Sequence, residues 1–310
     1  MGTVKAHANI ALIKYWGKED ENLFLPSTSS LSMTLDALHT ITTVQLSTSD
    51  SDLFILNDQI QSSEETSKVS RFVDLFRKDN QKVIINSTNN FPTAAGLASS
   101  ASGYAALSLA LNYEFDHQLS LRDLSKLTRR GSGSASRSLY GGFVKWTKGN
   151  NDTSVATPID SELEMEMIIV IVNAEKKTGG SRAMMKKTKE QSRYFDSWLS
   201  YNDRDLQEME AAIIHGDLNQ VGRLAERNAM MMHATMLAID EPFFYLQPDS
   251  LRVIQIVKEC REQGLLAYYT MDAGPNVKII TTPKDREAIL KHLGDFRTIV
   301  AKKGPGAQLI

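Results

Sequence analysis

At 310 residues the chain can bury a full core and can divide into two modest domains. Its 42% hydrophobic and 23% charged residues are those of a water-soluble globular protein. With 35 Lys and Arg against 37 Asp and Glu the formal charge is only −2, which excludes a global field for nucleic acid or an anionic membrane, so any anion site must be local.

In chain order, Ala8 to Ile13 reads as an apolar strand that gives way to a loop carrying Lys14, Tyr15, Trp16, Gly17 and Lys18. Asn9 interrupts the run and Lys14 follows at once, so no signal peptide is expected, and Ala6 stands where N-myristoylation wants Ser or Thr. Leu31, Met33 and Leu35 alternate as on a strand, Ile41 to Leu46 continues it, and Leu53 to Ile60 brackets Asn57-Asp58 as a hairpin. A helix is expected over Glu64 to Arg77, a strand at Val83 to Ile85, and a helix capped by Ser120 running toward Thr128. Gly141 to Trp146 returns to extended structure, and the polar stretch Lys148 to Ser161 is the best boundary candidate, dividing the chain into residues 1–163 and 164–310.

The second half predicts a strand Met165 to Val172 and helices near Lys186 to Leu199, Asp205 to Ile214 and Asn219 to Met232. Next come a helix Ser250 to Glu262 stopped by Gly264, strands Leu265 to Met271 and Val277 to Thr281, a helix Lys284 to Leu293, and a strand Phe296 to Val300. With the helical insertion counted as one layer this is β-α-β-β-α-β, the ferredoxin-like order. Met209, Ile213 and Met230 to Met232 read as core packing, as does the stripe Leu251, Ile254, Val257 and Cys260. Cys260 is the single cysteine, which suits a reducing cytoplasm, and six scattered histidines make a dedicated zinc site unexpected.

Four segments carry chemistry. Pro92-Thr93-Ala94-Ala95-Gly96-Leu97-Ala98-Ser99-Ser100-Ala101-Ser102-Gly103 follows a strand and opens into an Ala- and Leu-rich helix. Small residues let backbone N–H groups at a helix start approach an anion, and serine hydroxyls can bind phosphate or a phosphate-bound Mg²⁺. No Gly-Lys-Ser/Thr follows, so it is not a Walker loop. Asn9 to Lys18 places two cations and a phenol at a strand end. Gly131 to Gly142 is a second small-residue loop with Arg137 embedded, whose planar fork suits a carboxylate or phosphate. Met271-Asp272-Ala273-Gly274-Pro275-Asn276 sets a carboxylate at a strand end beside a tight turn.

The serine loop resembles the second motif of the GHMP kinase superfamily, Pro-x-x-x-Gly-Leu-x-Ser-Ser. The four segments together, in this order, resemble the mevalonate diphosphate decarboxylase family; ordinary superfamily kinases carry a Gly-rich third motif where this chain reads Met-Asp-Ala-Gly-Pro-Asn. The resemblance implies an α+β, two-domain GHMP kinase fold: an N-terminal ATP-binding domain like ribosomal protein S5 and a C-terminal ferredoxin-like domain with a helical insertion. It implies ATP-dependent conversion of mevalonate 5-diphosphate to isopentenyl diphosphate, ADP, phosphate and carbon dioxide in a cytoplasmic homodimer, with Mg²⁺ and no organic redox cofactor. By position it makes Asp272 the catalytic base, Arg137 the holder of the substrate carboxylate and Asn9 its support. Lys176 or Lys177 would lie near the transferred phosphate. The diphosphate would rest on Tyr15, Lys18, Ser132, Ser134, Ser181 and Arg182. ATP would rest on Pro92, Ala95 to Ala98, Ser99, Ser100 and Ser102, with Ser100 also at the metal. Ser136 stands where the family usually has Cys, and Gly180 to Met185 departs from the common bacterial Ser-Ser-Arg-Asp-Gly-Met. A plain small-molecule kinase on the same fold, or a non-catalytic phosphate-ligand sensor, would share most of these features.

Overall fold

The computed structural model describes residues 2–91, 99–173 and 180–310. Two sheets organise it. The first is built on Gly2–Ile13 and the 18-residue strand Ser30–Ser47, paired antiparallel. The two strand runs expected at Leu31 to Leu35 and Ile41 to Leu46 are therefore one strand. Its far end pairs with Lys82–Asn89 and its near end with Phe143–Trp146. Ala156–Ile159 then pairs with Phe143–Trp146, so part of the polar Lys148 to Ser161 stretch belongs to this sheet. Polar residues here turn a hairpin: Asn150 Oδ1 accepts from the Asp152 and Thr153 N–H groups. The hairpin expected at Asn57-Asp58 is present, with both residues at positive φ.

The serine loop's helix runs Ser99–Glu114, and its Ala101, Ala105, Ala106 and Ala110 are fully buried. Small side chains let it lie close on the sheet. Helix Leu121–Gly131, capped by Ser120 as expected, packs beside it, and a Cβ on Gly131 would sit 2.2 Å from the Tyr104 ring. A Cβ on Gly133 would sit 2.7 Å from Trp146 and 2.9 Å from Tyr15. Both glycines are thus needed for the second small-residue loop to reach the first sheet and the serine-loop helix at once.

The second sheet has the order Tyr268–Met271, Val277–Thr281, Glu166–Val170, Thr298–Lys302, all antiparallel. Numbered along the chain this is 2-3-1-4, the ferredoxin-like arrangement expected from the element order. Helices Pro248–Glu262 and Arg286–Leu293 pack with it. Ile254, Val257 and Cys260 are buried as expected, whereas Leu251 is 57% exposed because the buried face also takes Ser250 and Val253. The helical insertion comprises Ser181–Gln191, Phe195–Ile214 and Leu218–Leu237. The helices expected over Lys186 to Leu199 and Asp205 to Ile214 divide elsewhere: the first ends at Gln191, and Phe195–Ile214 runs unbroken through residues 200–204.

The sheets share a core. Ile10, Leu12, Leu31 and Met33 of the first join Met167, Ile169 and Ile280 of the second, together with Met209, Ile213, Val221 and Leu224 of the insertion. The chain's end also returns to the first sheet, where Gln308–Leu309 pairs with Val4 and Lys5. No helix among the described residues is long and apolar enough to cross a membrane.

Candidate active site

Strand alternation builds the arginine pocket. Leu31, Met33 and Leu35 face the shared core, while Ser30, Ser32 and Thr34 emerge on the other face, equally buried. Arg137, on the short 3-10 helix Gly133–Leu139, enters from above and donates from Nε to Ser32 Oγ (2.9 Å), from Nη1 to Ser30 Oγ (2.5 Å) and from Nη2 to Asn9 Oδ1 (3.2 Å). Asn9 in turn donates to Ser138 Oγ (2.8 Å) and the Ser134 carbonyl (2.9 Å), which fixes its amide. Burial lowers Arg137 to about 10, with Asp272 pulling it back up; the guanidinium stays charged at neutral pH. Three of its five N–H donors meet protein oxygens among the described residues, and two are left for an anion.

Asp272 ends strand Tyr268–Met271, and Gly274 N–H closes the turn on its carbonyl (2.8 Å). Its Oδ1 accepts from Lys14 Nζ at 2.8 Å and its Oδ2 pairs with Lys278 Nζ at 3.2 Å. The lysine side chains are 2% and 1% exposed against 27% for Asp272, so the carboxylate opens outward with two cations behind it. Burial alone would raise the Asp272 carboxyl, but the two ammonium groups outweigh it and hold it well below the usual carboxylate range. Burial pushes Lys14 down to about 8, against the pull of Asp272. Lys14 was visible in the sequence as a loop cation without a role. Helices of the insertion pin it: Asn228 Oδ1 accepts the Lys14 N–H (2.8 Å), and Asn202 donates to its carbonyl (3.4 Å).

The remaining expected residues form two groups. Ser132 Oγ lies 3.4 Å from Ser100 Oγ and 3.3 Å from Ser134 Oγ, which joins the two serine loops. Tyr15 stacks edge-on against Trp146 beneath them, its phenol pushed up by burial. In the second group Lys18 Nζ lies 4.0 Å from the centre of the Phe24 ring, and the Arg182 guanidinium lies 4.9 Å from the same ring. Ser181 and Arg182 open the helix Ser181–Gln191, and Arg182 also donates to the Gly131 carbonyl (2.6 Å). Ser102 is turned inward: fully buried, its hydroxyl meets Thr40 Oγ1 (2.7 Å). Pro92, Ala95 to Ala98, Lys176 and Lys177 lie outside the described residues. No group of three His, Cys, Asp or Glu able to hold a metal occurs among the described residues. The helix beginning at Ser99 has no acidic residue in its first turn, so its own first turn carries no negative charge to compete with an anion at the positive end of the helix dipole.

Residues 6–157 match the model of the diphosphomevalonate decarboxylase-like N-terminal domain, and residues 167–304 match that of the mevalonate 5-diphosphate decarboxylase C-terminal domain. The chain belongs to the diphosphomevalonate decarboxylase family. The diphosphomevalonate decarboxylase of Candida albicans is 34% identical over 94% of this chain and 88% of its own length. The mevalonate diphosphate decarboxylase of Staphylococcus aureus is similar in structure with a TM-score of 0.96 at 44% identity, covering 100% of this chain and 97% of that one. An MDDEF complex with MVAPP, AMPPCP and magnesium superposes with a TM-score of 0.95 at 44% identity, covering 100% and 98%. The expected α+β, two-domain GHMP kinase fold is thereby established. Within this decarboxylase fold the sequence missed Lys14, Lys278, Ser30 and Ser32 as parts of the site. The serines carried a signal: Ser30, Ser32 and Thr34 fall in one phase of a strand whose other phase is apolar.

Proposed function

We propose that this chain carries out the reaction of its family, the ATP-dependent decarboxylation of mevalonate 5-diphosphate, with Asp272 and Arg137 as its two central groups. The observation that carries the reading is the pairing of an outward carboxylate, held ionised by Lys14 and Lys278, with a buried arginine near enough to feel its charge. The substrate's C1 carboxylate would sit on the two N–H donors of Arg137 left over by Ser30, Ser32 and Asn9. Asp272 would accept the 3-hydroxyl hydrogen bond and aim its oxygen at the γ-phosphorus. A carboxylate this acidic is a weak base, so orientation comes first and proton acceptance follows as the new O–P bond forms and ADP leaves. The C3–O bond then breaks, phosphate departs, the C1–C2 pair becomes the C2=C3 double bond, and carbon dioxide leaves.

Ser132, Ser134, Tyr15, Lys18, Ser181 and Arg182 would hold the diphosphate, and the loop ending in Ser99 and Ser100 the nucleotide. When bound, Mg²⁺ would neutralise charge on the β- and γ-phosphates. Ser100 suits it because it offers a hydroxyl at a helix start, the phosphates supplying the other oxygens. One of Lys176 and Lys177 completes the reading near the γ-phosphate. We further read the chain as two domains, 1–163 and 164–310, working as a cytoplasmic homodimer. The two separate sheets and the meeting of the two family models between residues 157 and 167 support the division; sedimentation tests the dimer. A coupled ADP assay with mevalonate, its 5-phosphate and its 5-diphosphate, read alongside carbon dioxide release, tests the function. One carbon dioxide per ADP with the diphosphate alone is expected. ADP without carbon dioxide would make the chain a kinase.

A further inference from the structure

The hairpin Lys18–Pro26 contains an unusual tip. Phe24 has φ +53°, a left-handed conformation that bulky side chains rarely adopt. The backbone around it is clamped: Asp20 Oδ1 accepts the N–H groups of Asn22 (2.8 Å) and Leu23 (2.7 Å), and Arg129 Nε donates to the Leu23 carbonyl (3.1 Å). Arg129 is itself fully buried and tied to Ser154 and Asn151. A strained residue over-determined by its surroundings is a pointer to function. Here the strain presents one aromatic ring to two cations, Lys18 at 4.0 Å and Arg182 at 4.9 Å.

We propose that Phe24 is a positioning residue for the substrate diphosphate, an uncharged aromatic face that holds Lys18 and Arg182 together for a multiply charged anion to bind. Two like charges gathered with no ligand repel, and a second carboxylate between them would compete with the incoming diphosphate. An aromatic quadrupole attracts both cations yet carries no charge to repel the ligand. Lys18 also meets Glu21 at 2.5 Å, but Glu21 is 59% exposed and can swing into solvent as the diphosphate arrives. Arg182 has no ion pair among the described residues; its other contact is the Gly131 carbonyl, next to Ser132. The ring therefore links the hairpin cation to the serine loop through Arg182.

This inference rests on the reading of Lys18 and Arg182 as diphosphate ligands, and the experiment separates the two. Steady-state KM for mevalonate 5-diphosphate and for ATP, with kcat, is measured for F24L, F24W, F24Y and K18A, each checked for its melting temperature. F24L should raise the KM for mevalonate 5-diphosphate roughly three- to thirtyfold, the loss of one or two cation–π contacts, with kcat within about twofold and the ATP KM unchanged. F24W and F24Y, which keep a π face, should stay near the parent. A merely structural role would move kcat and both KM values together, or fail to be rescued by Trp and Tyr. If K18A raises the diphosphate KM and F24L does not, or if F24W and F24Y lose as much as F24L, Phe24 is not the platform. If K18A itself leaves that KM unchanged, the diphosphate assignment falls and this inference with it.

Discussion

Arg137→Lys is the substitution that most sharply separates a decarboxylase from a kinase on this scaffold. Net charge is kept, but the three-way anchoring to Ser32, Ser30 and Asn9 depends on nitrogens spread over a rigid plane, which an ammonium cannot reproduce. Leaving one or two of these buried oxygens without a donor costs about 1–3 kcal/mol each. The new ammonium would also be buried close to Lys14, where burial and nearby positive charge already depress a lysine to about 8. A loss of about 2–5 kcal/mol of stability follows, read as a lower urea midpoint with an unchanged slope. In the folded fraction, the substrate carboxylate would lose its bidentate partner and rotate. Misplacing a reacting group by about an ångström costs about 10²-fold, so turnover should fall at least that far, with a smaller change in substrate affinity. The assay follows ADP and carbon dioxide together, because a misheld carboxylate slows the second bond cleavage more than the first and lets a 3-phosphorylated species accumulate in quenched samples. An Arg137→Lys enzyme as fast as the parent, releasing one carbon dioxide per ADP, would refute the reasoning.

Asp272→Asn should bind nucleotide normally and fold, yet lose about 10²–10⁴-fold in turnover, the usual scale for a positioned acid–base group; near-normal turnover would remove Asp272 from the mechanism. Lys18→Ala should weaken the diphosphate substrate roughly ten- to hundredfold while leaving ATP affinity unchanged, since Lys18 shares the Phe24 ring with Arg182 and both are read as diphosphate ligands; equal losses for both ligands would undo that division. Lys14, lowered to about 8 by burial, is charged below that pH and neutral above it, so kcat should fall as pH rises through about 8 while Asp272 loses one of its two cations. Stability should move the other way from this group: between about 8 and the unfolded value of 10.5 the unfolded chain holds the proton and the folded chain does not, so this group makes the folding free energy more favourable as pH rises. A kcat profile flat from pH 7 to 9.5 would rule out the charged Lys14.

What the sequence disclosed and what it withheld follow from distance along the chain. Ser120 capping its helix, the Asn57-Asp58 turn and the single strands and helices whose succession makes the ferredoxin-like order are local signals, and the structure reproduces them. The partner of Asp272 was hidden because Lys14 lies 258 positions away. The gap expected between helices ending at Leu199 and starting at Asp205 is closed for a related reason. Polar residues in mid-helix suggest a break, because they compete for the backbone. Here their side chains are spent elsewhere: Asn202 reaches the Lys14 carbonyl, and Asp205 holds Asn228, which takes the Lys14 N–H. The helix continues because tertiary contacts outweigh local preference.

That network also explains why the shared core and the chemistry coincide. Asn9, Lys14, Ser30, Ser32 and Arg137 come from the first sheet and its loops, while Asp272 and Lys278 come from the second. The ion pair Lys14–Asp272 therefore spans the two sheets, and its geometry is only as well defined as their packing. The packing there is apolar and fully buried on both sides, with Ile10 and Leu12 in one core cluster with Met167 and Ile280. A truncation such as Leu12→Ala, about 2–5 kcal/mol in a core of this kind, should loosen the register between sheets as well as destabilise the protein. It should lower kcat beyond what the unfolded fraction accounts for, although Leu12 touches no reacting atom. Activity per folded molecule, measured in urea well below the transition, reads this directly. A Leu12→Ala enzyme that is less stable yet fully active per folded molecule would mean that the ion pair holds its own geometry without the core beneath it.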